Sequence, residues 1–239
     1  MERLQKKIAS LGYCSRRKAE ELITKGLVEV NGEVITKLGT TVKPGDIITV
    51  EGNILDSSRN FEYYLLNKPK GVVTTTSDEK GRRTVIDLID TNTRIYPVGR
   101  LDYDTTGILI LTNDGELANL LSNPNSLVDK TYIAKVEGQV SIASVQALRK
   151  GVIIDGIKTK KARVKLKSVD KKKNTSIVEI TIHEGKNHQV KKMFKSLGYN
   201  VIKLRREKYA NLNLKGLMPG EYRPLSIKEV KILYSLCKK

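Results

Sequence analysis

Two carboxylates stand two residues apart in the run Val98-Gly99-Arg100-Leu101-Asp102-Tyr103-Asp104-Thr105-Thr106-Gly107. Glycines bound the run, and an apolar stretch, Ile108-Leu109-Ile110-Leu111, follows it. The whole chain carries 44 Lys and Arg against 26 Asp and Glu, a net +18. In so basic a protein, acids on a face that binds a polyanion oppose binding, which makes Asp102 and Asp104 candidates for chemistry. Three chemistries suit such a pair. Both aspartates could bind magnesium for phosphodiester cleavage, although no other acid-rich segment completes a metal cage. Asp102-x-Asp104-x-Thr106 also matches the D-x-D-x-T pattern of aspartyl-phosphate chemistry. That pattern needs its nucleophile at the end of a buried strand, and here the apolar strand follows it. The third chemistry is a single carboxylate acting as nucleophile on a nucleoside, kept ionised by a nearby cation. Without any chemistry, the two side chains would cap the turn through neighbouring backbone amides.

Composition narrows the setting. The 239 residues suffice for two domains and for a core without covalent staples. Two cysteines, Cys14 and Cys237, lie at opposite ends, so neither a disulfide framework nor a four-cysteine zinc site is available. Two histidines, His183 and His188, exclude a histidine-rich metal centre. No stretch approaches the ~18–20 apolar residues of a membrane span. Met1 to Lys7 has no apolar signal core behind its charges. These features predict a soluble, unexported chain in a reducing cytoplasm. A pI of about 9.8 points to a polyanionic partner, nucleic acid before others.

The elements that must position the aspartates divide at a polar run, Asp56-Ser57-Ser58-Arg59-Asn60, read as a linker. Residues 1–58 carry 9 basic and 8 acidic side chains, whereas 59–239 carry 35 and 18. In the first part Leu4, Ile8 and Leu11 share a helix face that Gly12 ends. Ser15 caps a second helix bearing Ala19, Leu22 and Ile23, which Gly26 closes. Asn31-Gly32 predicts a hairpin turn between Val28-Val30 and Val34-Ile35, and Ile47 to Val50 reads as a last strand. Arg16, Arg17 and Lys18 open the second helix, where cations oppose the helix dipole. A phosphate backbone would compensate them; otherwise they form a solvated basic face.

The second part reads as strands at Tyr63–Asn67, Gly107–Thr112, Thr131–Glu137 and Ser176–Ile182. Helices are predicted over 116–121 and 189–197, with a short helix or strand over 85–89. The absence of a regular βα repeat implies an α+β class with a mixed, mostly antiparallel sheet. Lys161, Arg163, Lys165 and Lys167 alternate with apolar residues, giving one cationic strand face. Such a face either lies on RNA or discourages edge-to-edge pairing.

Several of these runs carry a resemblance. Ser15 to Ile23, with Gly26, Val28, Val30-Asn31-Gly32 and Pro44-Gly45-Asp46, resembles the small RNA-binding domain of the ribosomal protein S-four type. Gly99-Arg100-Leu101-Asp102-x-Asp104-Thr105-Thr106-Gly107 through Gly115 resembles the catalytic motif of the ribosomal RNA pseudouridine synthases of the RsuA/RluB type. Further landmarks follow the same family's order: Asn67-Lys68-Pro69-x-Gly71, Lys130-Thr131-Tyr132, Glu184 to Phe194, Leu204-x-Arg206, and Leu217 to Leu225. The sequence departs from the family where Lys186, Lys191 and Lys192 stand at positions often held by Arg. It departs again at Tyr209-Ala210, where many members have glycine second. Lysine keeps the charge and gives up the bidentate fork.

The resemblance implies a pseudouridine synthase fold over 59–239 and an RNA-binding domain over 1–58. It implies isomerisation of a uridine in ribosomal RNA, without cofactor, metal or membrane, by a monomer acting in the cytoplasm on the RNA or a pre-ribosomal particle. Asp102 is then the nucleophile, Lys191 its cationic partner, and Tyr132 the ring against the target base. Arg100, Leu204, Asp104 and Thr106 fall to substrate binding. Arg16, Arg17, Lys18, Lys68, Lys70, Arg82, Arg83, Lys186 and Lys192 fall to RNA phosphates. Leu4 to Gly45 and Gly115 to Asn119 look like the large-subunit branch. His188 to Lys191 and Pro219 to Leu225 look like the small-subunit branch. The rival readings are a non-catalytic RNA-binding assembly factor and a metal-dependent RNA-processing enzyme.

Overall fold

The computed structural model describes residues 1–56, 60–123 and 126–237. Ser57, Ser58 and Arg59, the middle of the expected linker, lie outside the described residues. Two compact units emerge. One comprises Met1–Glu62 with Thr91–Ile95 and Asn113–Gly115, and the other Tyr63–Asp90, Tyr96–Thr112 and Glu116–Lys239.

The first unit contains β1 (Glu2–Arg3), α1 (Leu4–Ser10), α2 (Arg16–Thr24), β2 (Val28–Val30), β3 (Glu33–Val34), β4 (Thr41–Val42), β5 (Ile48–Val50) and β6 (Asn53–Ile54). The predicted stripes face inward: Leu4, Ile8, Ala19, Leu22 and Ile23 are buried together with Val28 and Ile48. Ser15 caps α2 by accepting from the Lys18 amide at 3.1 Å. Asn31 and Gly32 both hold positive φ, 52° and 85°, as the tight turn between β2 and β3 requires. Two strand pairings were absent from the sequence reading: β6 beside β5, and β1 beside β4.

The second unit contains β7 (Tyr63–Lys68), β8 (Tyr96–Pro97), β9 (Thr106–Thr112), α3 (Gly115–Ser122), β10 (Lys130–Glu137) and α4 (Ile142–Lys150). It continues with β11 (Ile153–Ile154), β12 (Ile157–Lys158), β13 (Arg163–Asp170), β14 (Thr175–Ile182), α5 (Gln189–Lys195), β15 (Val201–Tyr209), β16 (Leu212–Asn213), β17 (Tyr222–Pro224) and α6 (Ile227–Cys237). One nine-stranded sheet runs β13-β14-β10-β15-β9-β7-β17, with β16 on β15 and β8 on β9. Every pairing in it is antiparallel except β15 with β9. The expected mixed, mostly antiparallel sheet is therefore present. The cationic strand is β13, at the sheet's edge.

The parallel pairing explains one glycine. β9 lies between β15 and β7, and its residues from Gly107 to Thr112 are all buried. Arg206 faces Gly107 across the pairing. A Cβ on Gly107 would stand 2.2 Å from the Arg206 carbonyl oxygen, and the residue's φ is +107°. Only glycine allows so close an approach of two backbones. Arg206 is thereby seated at the base of the loop that carries both aspartates.

Candidate active site

The loop from Gly99 to Thr105 joins β8 to β9 and is fastened from several sides. The Thr105 amide donates to the Asp102 carbonyl at 3.1 Å, closing a turn. The Thr74 hydroxyl donates to the Leu101 carbonyl at 2.7 Å. The Gly71 amide donates to the Tyr103 carbonyl at 2.9 Å. Beneath the loop, Lys68 Nζ donates to the carbonyls of Pro69, Asp102 and Thr105, each at 3.1 Å. Lys68 is fully buried, and burial pulls its ammonium down to about 8 against the pull of the Asp102 and Asp104 carboxylates. This corrects the expectation for Lys68. It sits at the end of β7 under the loop, out of reach of a phosphate, and supports the backbone of Asp102.

Helix α5 supplies the cation. Its buried Val190, Met193 and Phe194 fix the helix to the unit, which leaves Lys191 on the side facing the loop. Lys191 Nζ lies 2.9 Å from Asp102 Oδ2 and 2.6 Å from Asp104 Oδ1. Burial draws the Lys191 ammonium down, but the bonds to Asp104 and Asp102 outweigh it and hold its pKa above the ordinary lysine value. The same ammonium bond holds Asp104 below the usual carboxylate range. The two acids thus converge on a lysine. Among the described residues no three His, Cys, Asp or Glu side chains gather as a metal-holding set.

Strands β10 and β15 supply the wall opposite. Tyr132 pairs with Arg206 in register, and Leu204 pairs with Ala134. Period-2 geometry places Lys130 and Tyr132 on one face of β10, and Leu204 and Arg206 on one face of β15. All four side chains line a cavity of about 170 Å³ together with Asp102, Arg100, Lys186 and Lys191. Arg206 is buried, donates from Nε to the Ile108 carbonyl at 2.7 Å, and lies 6.0 Å from the Tyr132 ring centre and 5.0 Å from that of Tyr209. Lys130 Nζ stands 5.7 Å from the Tyr209 ring centre, and burial, with Arg206 nearby, lowers its pKa to about 8. The cavity lining thus combines the Asp102 carboxylate, a tyrosine and a leucine with several cations, of which Arg206 is buried.

The structure brings Asp102, Tyr132, Lys191, Arg100, Leu204 and Lys186 into one cavity. Asp104 bears on it through Lys191, and Thr106 opens β9 without lining it. Lys192 is tied to Asp155 at 2.5 Å. Arg82 is clamped on Asp78, and that bond pulls the Asp78 carboxyl down to about 2. Lys70 and Arg83 are exposed. Arg16, Arg17 and Lys18 are exposed in the first turn of α2, with Lys18 3.2 Å from Glu21. Sequence reasoning passed over Lys130, Arg206 and His188, although each lies inside a quoted motif. For the first two, the signal was their two-residue spacing from Tyr132 and Leu204.

A profile of the RNA pseudouridylate synthase family matches residues 62–196, and an S4 domain profile matches residues 2–48. The chain belongs to the RNA pseudouridylate synthase family. It is 52% identical over 237 residues to ribosomal large subunit pseudouridine synthase B of Bacillus subtilis, covering 99% of this chain and 97% of that protein. It is 36% identical to the dual-specificity RNA pseudouridine synthase RluF of Escherichia coli K12, covering 98% of this chain and 79% of that one. A crystal structure of a pseudouridylate synthase, 33% identical, superposes with a TM-score of 0.70 over 98% of this chain and all of the other. As a pseudouridylate synthase the chain is an isomerase acting on RNA, and its S4 domain is an RNA-binding module. No described helix is long and apolar enough to cross a membrane.

Proposed function

We propose that the chain converts a specific uridine of ribosomal RNA to pseudouridine, with Asp102 as the nucleophile. The observation that carries this reading is the Lys191 ammonium 2.9 Å from Asp102 Oδ2, in the cavity that Tyr132 and Leu204 also line. The cation pairs directly with the carboxylate oxygen, as a carboxylate nucleophile in a cavity requires of its surroundings. The isomerisation breaks the N1–C1′ bond, turns the base and forms a C5–C1′ bond. One proton leaves C5 and one is gained at N1, so atoms balance without a redox carrier, an energy source or a metal. The uridine must first leave its stack, at a cost of a few kcal/mol. Tyr132 and Leu204 offer the extruded base a ring and an apolar wall, and Arg100 holds phosphate or the vacated space.

The large-subunit RNA is favoured, because the 52% identical Bacillus protein carries that substrate in its name. Residues 1–58 form the RNA-binding domain and 59–239 the catalytic domain, in keeping with profile matches over 2–48 and 62–196. The enzyme acts as a monomer in the cytoplasm, on ribosomal RNA or an assembling particle. The test is tritium release from rRNA labelled at uridine C5, in chelator, for the wild type and Asp102→Asn. Release by the wild type alone supports the reading. No release from RNA or particles would make the chain a binding factor, and release lost only in chelator would make it a metal enzyme.

A further inference from the structure

His188 stands in an unusual backbone conformation beside the loop that carries Asp102. It stands at the N-cap of α5 with φ 51° and ψ 28°, the left-handed region that non-glycine side chains avoid. Its side chain makes no capping bond and is 46% exposed. What the conformation does is aim the ring at the loop: His188 Nδ1 lies 3.0 Å from Asp102 Oδ2. One turn along the helix, Lys191 reaches the same oxygen at 2.9 Å. Among the described residues Oδ1 of Asp102 receives no hydrogen bond.

We propose that His188 is a positioning residue for Asp102. It donates its Nδ1–H to Oδ2, fixes the rotation of the carboxylate jointly with Lys191, and leaves Oδ1 as the oxygen that bonds to substrate. An ionised carboxylate can only accept, so the ring nitrogen facing it is the donor. Lys191 is shared between two carboxylates, Asp102 and Asp104, so it does not by itself fix the orientation of Asp102. A carboxylate held on one side by a single flexible lysine stem would rotate, and misplacement by about an ångström can cost on the order of 100-fold in rate. This inference rests on Asp102 being the nucleophile.

The test combines single-turnover tritium release at saturating enzyme with RNA affinity, for the wild type, Asp102→Asn and four substitutions at His188. His188→Ala and His188→Gly should each slow release on the order of 10–100-fold, as for loss of a hydrogen bond to a charged group. RNA affinity should hardly move. The glycine variant separates backbone strain from the donor, since glycine takes the left-handed conformation freely. His188→Asn should recover most of the rate, because its amide nitrogen replaces Nδ1 and asparagine tolerates that backbone. His188→Gln, whose amide sits one carbon further out, should stay slow. The chain has only two histidines, so ¹⁵N-imidazole spectra give two resolvable rings. His183, with Nδ1 2.6 Å from Asp129 Oδ1, serves as internal reference. Asp102→Asn should move the His188 signals and leave His183 in place.

Active wild type, inactive Asp102→Asn and an unslowed His188→Ala would overturn the His188 role alone. A His188→Ala defect confined to RNA affinity would overturn it too, making the ring a phosphate or base contact. Tritium release by Asp102→Asn would overturn the Asp102 reading and this role with it. Unmoved His188 signals in Asp102→Asn would show that the hydrogen bond does not form.

Discussion

Ala210 holds φ 51° immediately after β15, in the left-handed region that favours glycine. Its amide donates to the carbonyl of Asp129, the residue before β10, at 2.8 Å. An L residue there is strained, and glycine is not. Ala210→Gly should therefore leave stability unchanged or raise it by about 0.5–1 kcal/mol, the relief outweighing the added chain entropy; a thermal melt measures it. Lys130 tests the electrostatics of the cavity lining. Its folded pKa of about 8 lies below the ordinary lysine value of 10.5, chiefly through burial. Below pH 8 both folded and unfolded forms hold the proton, and the cost of the buried charge is full. Between pH 8 and 10.5 the folded form releases the proton first, so the unfolded chain binds more protons and stability rises with pH. Lys130→Met should be the more stable protein below pH 8, by on the order of 1 kcal/mol once solvent screening is allowed for. That advantage should shrink as pH climbs to 10.5. Melting temperatures of both proteins across this range decide it, and a difference independent of pH would refute the assignment.

At the scale of elements, the pairing of β15 with β9 sets the site, and Gly107 permits it. Gly107→Ala places a methyl group 2.2 Å from the Arg206 carbonyl oxygen and keeps a positive φ. The strands must part, and Arg206 and Leu204 move with β15. Destabilisation on the order of 3 kcal/mol is expected from the clash and the strained backbone together, with tritium release reduced at least tenfold at a temperature where the variant stays folded. Wild-type melting and activity would mean that the two strands do not pair this closely. The sequence made some of this legible. The apolar run of β9 announced a buried strand, the Asn31-Gly32 turn its hairpin, and the stripes of α1 and α2 their faces. All are local patterns. Lys68 was not legible, because two of the carbonyls it bridges belong to Asp102 and Thr105, 34 and 37 residues away. In sequence it is a lysine beside a proline in a basic turn. Strand β15 carries Lys203, Arg205 and Lys208 between its inward residues, and that charge hid a central strand from a reading based on apolar runs. The Asp102–Lys191 pair was legible only through resemblance, since nothing local links residues 89 positions apart.

For the whole molecule, the positive charge lies mostly outside the RNA-binding domain. Residues 1–58 have 9 basic and 8 acidic side chains, whereas 59–239 have 35 and 18. A polyanion is therefore attracted mainly by the second part, and the first contributes through placement: Arg16, Arg17 and Lys18 crowd into one exposed helical turn that contains no acid. Phosphate contacts position a protein on RNA without specifying sequence, which is the role such a turn can fill. Each neutralised phosphate adds roughly 0.7–0.9 to the slope of log affinity against log salt. If all three cations bind phosphate, replacing them together by alanine should flatten that slope by about 2–3. The larger remainder, owed to 59–239, should persist, and the loss should read in affinity at a given salt rather than in the rate at saturation. A slope that collapses entirely would place the affinity in the first domain after all. A slope that does not change would make the turn a solvated basic face, with α2 serving the fold of its own unit alone.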